Sequence, residues 1–207
     1  MEISAHGNVK HFNNPFECLS SEAYYWLGWI FSDGCIQSRG HSHYVYLACR
    51  DREIIEAFKN FCGDRAKIHN FTYTTPISRE TKIMYRVIIN SQELVSYFAN
   101  TYGIIGKKAD SMNPNIEINW DLLRGVYDGD GSFKKGVVLT SKSKDWVNKI
   151  ARFYDSLNLH YTVTHDSAYR ISIYKKSDIR RVYHYLYDNS TLFLQRKKED
   201  LSRLARE

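Results

Sequence analysis

One stretch of this chain occurs twice. Tyr25-Trp26-Leu27-Gly28-Trp29-Ile30-Phe31-Ser32-Asp33-Gly34 is echoed by Leu122-Leu123-Arg124-Gly125-Val126-Tyr127-Asp128-Gly129-Asp130-Gly131. The copies lie about 97 positions apart, which fits duplication of a whole half-domain and not a short solenoid repeat. Each carries two small residues four positions apart, Gly28 then Ser32 and Gly125 then Gly129. At helical spacing these fall on one face, where missing side chains let two backbones approach closely. The stretches therefore read as two helices packed against each other. Each ends in Asp-Gly, and a glycine in the left-handed conformation is the expected terminator. Asp33 and Asp130 then emerge side by side at the bottom of the contact. A carboxylate at a helix C-terminus is electrostatically disfavoured, so two together call for a compensating charge, such as a shared divalent cation.

The two stretches resemble the LAGLIDADG motif of homing endonucleases, of the type that carries two motifs in one chain. Gly28 and Gly125 match its third position, Asp33 and Asp130 its eighth, Gly34 and Gly131 its ninth. Elsewhere the first copy departs, with Trp29, Phe31 and Ser32, and only the second keeps an acid at the sixth position, Asp128.

The 207 residues suffice for one sizeable core or two fused halves. Lys+Arg 29 against Asp+Glu 23 leaves a net charge of +6, a modest excess that suits a polyanionic partner. The 16 tyrosines combine packing surface with a hydroxyl, suiting half-buried strands and wet interfaces alike. With no long apolar run and no signal-like start, a soluble intracellular protein is expected, its compartment open. Cys18, Cys35, Cys49 and Cys62 lack close paired spacing and read as scattered reduced thiols.

In chain order, residues 1–18 read as a polar N-terminal extension without strong structure, containing His6 and His11. A first half follows over 19–105, a linker with Lys107, Lys108 and Pro114 over 106–118, and a second half over 119–207. Ser20 or Ser21 and Asn119 are the expected caps of the motif helices. Alternation and helical spacing give each half the order α-β-β-α-β-β-α, an α+β fold, with a turn at Thr75-Pro76. Tyr85-Arg86-Val87-Ile88-Ile89 matches Tyr169-Arg170-Ile171-Ser172-Ile173, a second sign of duplication. A terminal amphipathic helix is expected within 192–207, around Leu194, Leu201 and Leu204.

The resemblance implies two pseudo-symmetric halves, each with a four-stranded antiparallel sheet, forming a saddle over double-stranded DNA around the helix pair. Strands can read the major groove, where each base pair shows a distinct edge. Tyr46, Arg50, Lys67, His69, Arg86, Arg170 and Ser172 are the candidate contacts, with Lys142 beside them. It also implies Mg²⁺-dependent phosphodiester hydrolysis, with Mn²⁺ substituting and Ca²⁺ supporting binding without cleavage. Asp33 and Asp130 would hold the metal with the carbonyls of Ser32 and Gly129, each acid serving one strand, to leave 3′ overhangs. Lys142 and Lys175 (or Lys176) are the candidate basic residues of the second half. The first half offers Arg50 at one such position but Asn90-Ser91 at the other, which predicts unequal cutting of the two strands. Two motifs in one chain imply a monomer with a long, asymmetric target.

Other patterns carry less. Asp128-Gly129-Asp130-Gly131-Ser132 opens like an EF-hand loop, but the sixth and twelfth positions are Phe133 and Leu139. His41-Ser42-His43 lacks nearby acids or thiols and reads as a solvated turn. Lys107-Lys108 and Arg196-Lys197-Lys198 could grip phosphate, although such charge is as often plain solubility. No splicing segments flank the motifs as in an intein. The competing reading is a fold member that binds DNA or RNA without cutting, such as a maturase or transcription regulator; intact acids at both eighth positions favour the nuclease.

Overall fold

The computed structural model describes residues 14–63, 66–74, 79–106 and 112–207. Each half begins with its motif helix, α1 (Ser21–Ser32) and α4 (Trp120–Asp130). Ser20 caps α1 by accepting from the Ala23 N–H, and Asn119 caps α4 by accepting from Leu122. The first half continues through β1 (Cys35–Arg39), β2 (Ser42–Cys49), α2 (Arg52–Phe61), β3 (His69–Thr74), β4 (Thr81–Asn90) and α3 (Gln92–Tyr102). The second runs β5 (Val137–Ser141), α5 (Lys144–Ser156), β6 (Thr162–His165), β7 (Tyr169–Ile173), α6 (Lys176–Tyr187) and the terminal α7 (Gln195–Arg206). Antiparallel sheets and paired motif helices make the two pseudo-symmetric halves that the repeat predicts.

The contact between α1 and α4 is made by backbone. A Cβ on Gly28 would stand 2.2 Å from the Leu122 carbonyl oxygen, and one on Gly125 would stand 1.9 Å from that of Tyr25. Glycine is required there by space. The same holds at the helix ends, where the expected left-handed glycines are not found. Gly131 has φ −68°, and Gly34 is not among the positive-φ residues. The chain turns from each helix directly into the strand that follows. A Cβ would then meet the Ile30 Cα at 2.6 Å, or the Tyr127 carbonyl oxygen at 2.5 Å. By contrast Gly103 does end α3 in the left-handed region, at φ +69°.

Beyond its exposed first turn, α1 is largely apolar because it is enclosed by the rest of the chain. Tyr25, Trp26, Leu27, Trp29 and Ile30 are each fully buried, and a large apolar side chain contributes roughly 1.5–3 kcal/mol on full burial. The first sheet has strand order β1-β2-β4-β3. Val45, Leu47, Val87 and Ile89 line its covered face, while Tyr44, Tyr46, Arg86 and Ile88 alternate onto the other. The second sheet has only three strands, β5-β7-β6, with the bridge Ser132–Val138 in place of a fourth. That corrects the expected four strands of the second half. Few residues separate α4 from β5, and Phe133 among them is buried against Tyr127, with ring centroids 5.7 Å apart. Phe133 draws the segment into the core, leaving room for one bridge and no ladder.

The end of the N-terminal extension is also better anchored than expected. Phe16 is fully buried, its ring 5.1 Å from those of Phe61 and Phe98, and its carbonyl accepts from the Tyr97 hydroxyl at 2.7 Å. His6, His11, Thr75, Pro76, Lys107 and Lys108 lie outside the described residues. Among the described residues no helix is long and apolar enough to cross a membrane, and all four cysteines are free.

The glycine contact gives a direct test. Gly125→Ala is expected to cost about 3 kcal/mol or more, because neither backbone can retreat without repacking both helices. Urea unfolding followed by tryptophan fluorescence measures the loss.

Candidate functional site

The two acids meet where the motif helices end. Asp33 is the residue after α1 and Asp130 the last of α4, and both are exposed. A Cβ on Gly129 would lie 2.2 Å from the Ser32 Oγ and 3.4 Å from the Asp33 Oδ2. The Asp33 carboxylate is therefore held against the last turn of the opposite helix. Ser32 and Gly129 sit in last turns, where carbonyls lack donors within their own helix. A cavity of about 260 Å³ opens beside this point, with Ser32, Asp130 and Lys142 at its polar margin over Phe31, Met112 and Trp146.

Two carboxylates, main-chain carbonyls and an open side suit a hard cation such as Mg²⁺, which binds through one or two carboxylates plus water and phosphate oxygens. No cluster of three or more His, Cys, Asp or Glu forms a metal cage among the described residues. His43 instead pairs its Nδ1 with the Ser38 Oγ at 3.0 Å.

Lys142 and Lys175 part company. β5 and β7 run antiparallel, with Val137 opposite Ile173 and Ser141 opposite Tyr169. Lys142 leaves β5 at the Asp130 end, whereas Lys175 leaves β7 at the far end, one strand length away. There Lys175 contacts His160 Nδ1 at 3.2 Å, in a cluster completed by Asp178 and Arg181. Burial alone would raise the Asp178 carboxyl, but the His160 N–H and ring, Arg181 and Lys175 outweigh it and hold it low. Lys175 thus does not join the acid pair. Arg50 occupies the Lys142-equivalent place in the first half, directly after β2, and lies 3.6 Å from Asp51.

Of the candidate surface residues, Tyr46, His69 and Arg86 share the uncovered face of the first sheet. His69 is opposite Arg86, and the Arg86 guanidinium lies over the Phe71 ring at 5.3 Å. Lys67, just before β3, joins His69, Tyr44 and Asn90 around a groove on this face. Arg170 is exposed on β7 between Thr140 and Thr164. Ser172, two residues on, is only 3% exposed. It is shut between Val138 and Thr162 and presents no free surface.

Two charged residues given no place beside the acids in the sequence reading, Asp128 and Lys197, pack around the foot of the motif helices. Asp128 is fully buried, accepting from the Tyr25 hydroxyl at 3.0 Å, the Tyr187 hydroxyl at 2.9 Å and the Leu194 N–H at 2.7 Å. Burial pushes its pKa up to about 6, against the pull of these three hydrogen bonds and Arg124. Arg124 in turn donates to the carbonyls of Leu192 and Leu186. The segment before α7 is thus latched to the motif helix. That latch delivers Lys197, which is 9% exposed and donates to the Gly131 carbonyl. Burial pulls the Lys197 pKa down and Arg196 adds to this, while Asp128, Asp33 and Asp130 act in the opposite sense. A signal was present: Lys197 lies three residues after Leu194 and four before Leu201, on the apolar stripe of its helix.

The sequence pattern of the LAGLIDADG-like domain matches residues 20–103 and 118–187, more than half of the chain. The chain belongs to this family. Among solved LAGLIDADG structures, the homing endonuclease I-WcaI bound to its DNA recognition sequence is 17% identical, covering 88% of this chain and 87% of that one, with a TM-score of 0.61. I-DmoI in complex with DNA and Ca is 18% identical over 90% of this chain and 98% of that one, TM-score 0.59. The N-terminal LAGLIDADG domain of DUF199/WhiA is 10% identical over 95% and 90%, TM-score 0.54. At these identities the likeness is one of fold. An uncharacterised protein of Methanocaldococcus jannaschii is 26% identical over 177 residues, 75% of this chain, and the match spans 60% of that relative's length.

Truncating Asp128 tests the latch. Asp128→Ala leaves two tyrosine hydroxyls and one N–H buried without an acceptor, at an expected cost of about 3 kcal/mol. Faster proteolysis within the C-terminal helix, alongside urea unfolding, is the measurement.

Proposed function

We propose that this protein is a site-specific double-strand DNA endonuclease acting as a monomer on a long, asymmetric target. The observation that carries this reading is the placement of both motif acids at one end of a backbone-to-backbone helix contact, with Asp33 Oδ2 against Gly129. The DNA-bound endonucleases of the same fold support it.

In this reading the uncovered sheet faces lie on the duplex, with Tyr46, Lys67, His69 and Arg86 from one half and Arg170 from the other. Asp33 and Asp130 would hold Mg²⁺ with the Ser32 and Gly129 carbonyls. The ion, when bound, lowers the pKa of an attacking water and neutralises charge on the leaving oxygen. The chain's own part is positional. The helix contact fixes the spacing of the two carboxylates, and so the offset of two cuts across the minor groove that leaves 3′ overhangs. Lys142, at the margin of the Asp130 cavity, would offset charge developing on one scissile phosphate. Arg50, with its guanidinium turned towards Asp51, takes the corresponding place in the first half. A lysine in one half and an arginine in the other predict unequal rates for the two strands.

The second reading is a binding protein of the same fold that does not cut. Selecting bound duplexes from a randomised library in Ca²⁺, then exchanging to Mg²⁺, separates the two. Double-strand cleavage in Mg²⁺ is expected, lost by at least about a hundredfold in Asp33→Asn and in Asp130→Asn, with Ca²⁺ binding retained. Tight binding without cleavage in Mg²⁺ or Mn²⁺ would establish the second reading instead.

A further inference from the structure

Two exposed carboxylates at adjoining helix C-termini, with the buried Asp128 one half-turn behind, concentrate negative charge at the negative ends of two helix dipoles. The chain has to hold that arrangement together. Of the three consecutive cations at the start of α7, Arg196 is taken by Asp51 at 3.0 Å and Lys198 lies over the Phe193 ring at 4.0 Å. Lys197 alone turns inward, its ammonium on the Gly131 carbonyl, one residue beyond Asp130, and 5.8 Å from the Phe133 ring centre. The latch at Asp128 and Arg124 leaves this ammonium little freedom to withdraw.

We infer that Lys197 is a positioning residue: a resident counter-cation of the Asp33–Asp130 pair, helping to hold the carboxylates together without metal and weakening the divalent ion's hold on them. The second clause rests on the metal-dependent reading above; the first does not. A fixed positive charge at the foot of the helix pair relieves the repulsion between the acids. The same charge repels an incoming divalent cation, so the site would take its ion tightly only once phosphate oxygens add negative charge.

The full-length chain with Lys197→Met, which keeps the stem beside Phe133 and removes the charge, tests both clauses. In EDTA at low salt its melting temperature is expected to fall by roughly 5 °C. About half of that loss should disappear when the variant is made in an Asp33→Asn or Asp130→Asn background. A residue that merely props up the Gly131 carbonyl would cost the same in all three backgrounds, and that result would overturn the counter-cation role. If Lys197→Met alone does not fold, recovery of folded protein in the double variants replaces the melting shift, and no recovery in either overturns it equally. For the second clause, calorimetric titration with Mn²⁺ and with Ca²⁺ in the absence of DNA should show affinity in Lys197→Met raised roughly tenfold over wild type. Unchanged affinity overturns that clause. Binding of neither ion by either protein counts against the metal-dependent reading, while the melting comparison still decides the counter-cation role.

Discussion

The structure depends on the approach of two helix backbones at Gly28 and Gly125. Each glycine faces a carbonyl of the other helix at a distance that excludes even a methyl group. A helix pair separated by side chains would sit 8–10 Å apart at ordinary contacts, and its C-terminal ends would diverge. Here the ends converge until the Asp33 carboxylate touches the Gly129 turn. One steric condition, met by four small residues, both joins the halves and sets the distance between the two acids. The aromatic shell around α1 supplies the stability that this polar end lacks.

The second constraint is electrostatic. Three aspartates gather near the foot of α4 and α1, and they are handled in different ways. Asp128 is taken out of water and given three hydrogen-bond donors, from α1, α6 and the segment leading into α7. Asp33 and Asp130 remain exposed, and the Lys197 ammonium sits on the Gly131 carbonyl, one residue beyond Asp130. The C-terminal helix is therefore tied to the foot of the motif helices and is not an appendage. It is tied to α4 through Asp128 and Arg124, and to the first half through Arg196 and Asp51.

The halves share a plan but not a surface. The first sheet has four paired strands and the second three plus a bridge. The first presents an aromatic and basic face of Tyr46, His69, Phe71 and Arg86, whereas the second shows Arg170 among threonines, with Ser172 closed off. Lys142 stands at the cavity that Asp130 lines, and Arg50, at the equivalent point after β2, is drawn to Asp51. Under the proposed activity, such divergence favours a target whose two halves differ and a pair of cuts made at different rates.

Most of the architecture is legible in the sequence, because it follows from local pattern. Small residues four apart marked the helix contact, period-two alternation marked the strands, and Ser20 and Asn119 marked the helix starts. The Asp33–Asp130 pairing followed from the repeat itself. What was misread depended on neighbours distant in sequence. Gly34 and Gly131 are glycines because Ile30 and Tyr127 leave no room, not because their φ is positive. Lys142 and Lys175 both follow strands, and only the antiparallel register of β5 and β7 decides which of them reaches the acids. Lys197 and Asp128 were legible as charges but not as partners, since burial is a property of the packed chain. The sequence alone determined the duplicated helix pair and its two acids, through spacing that any helix must obey. Tertiary structure decided which cations stand beside them, because long-range packing brings those cations in from elsewhere in the chain.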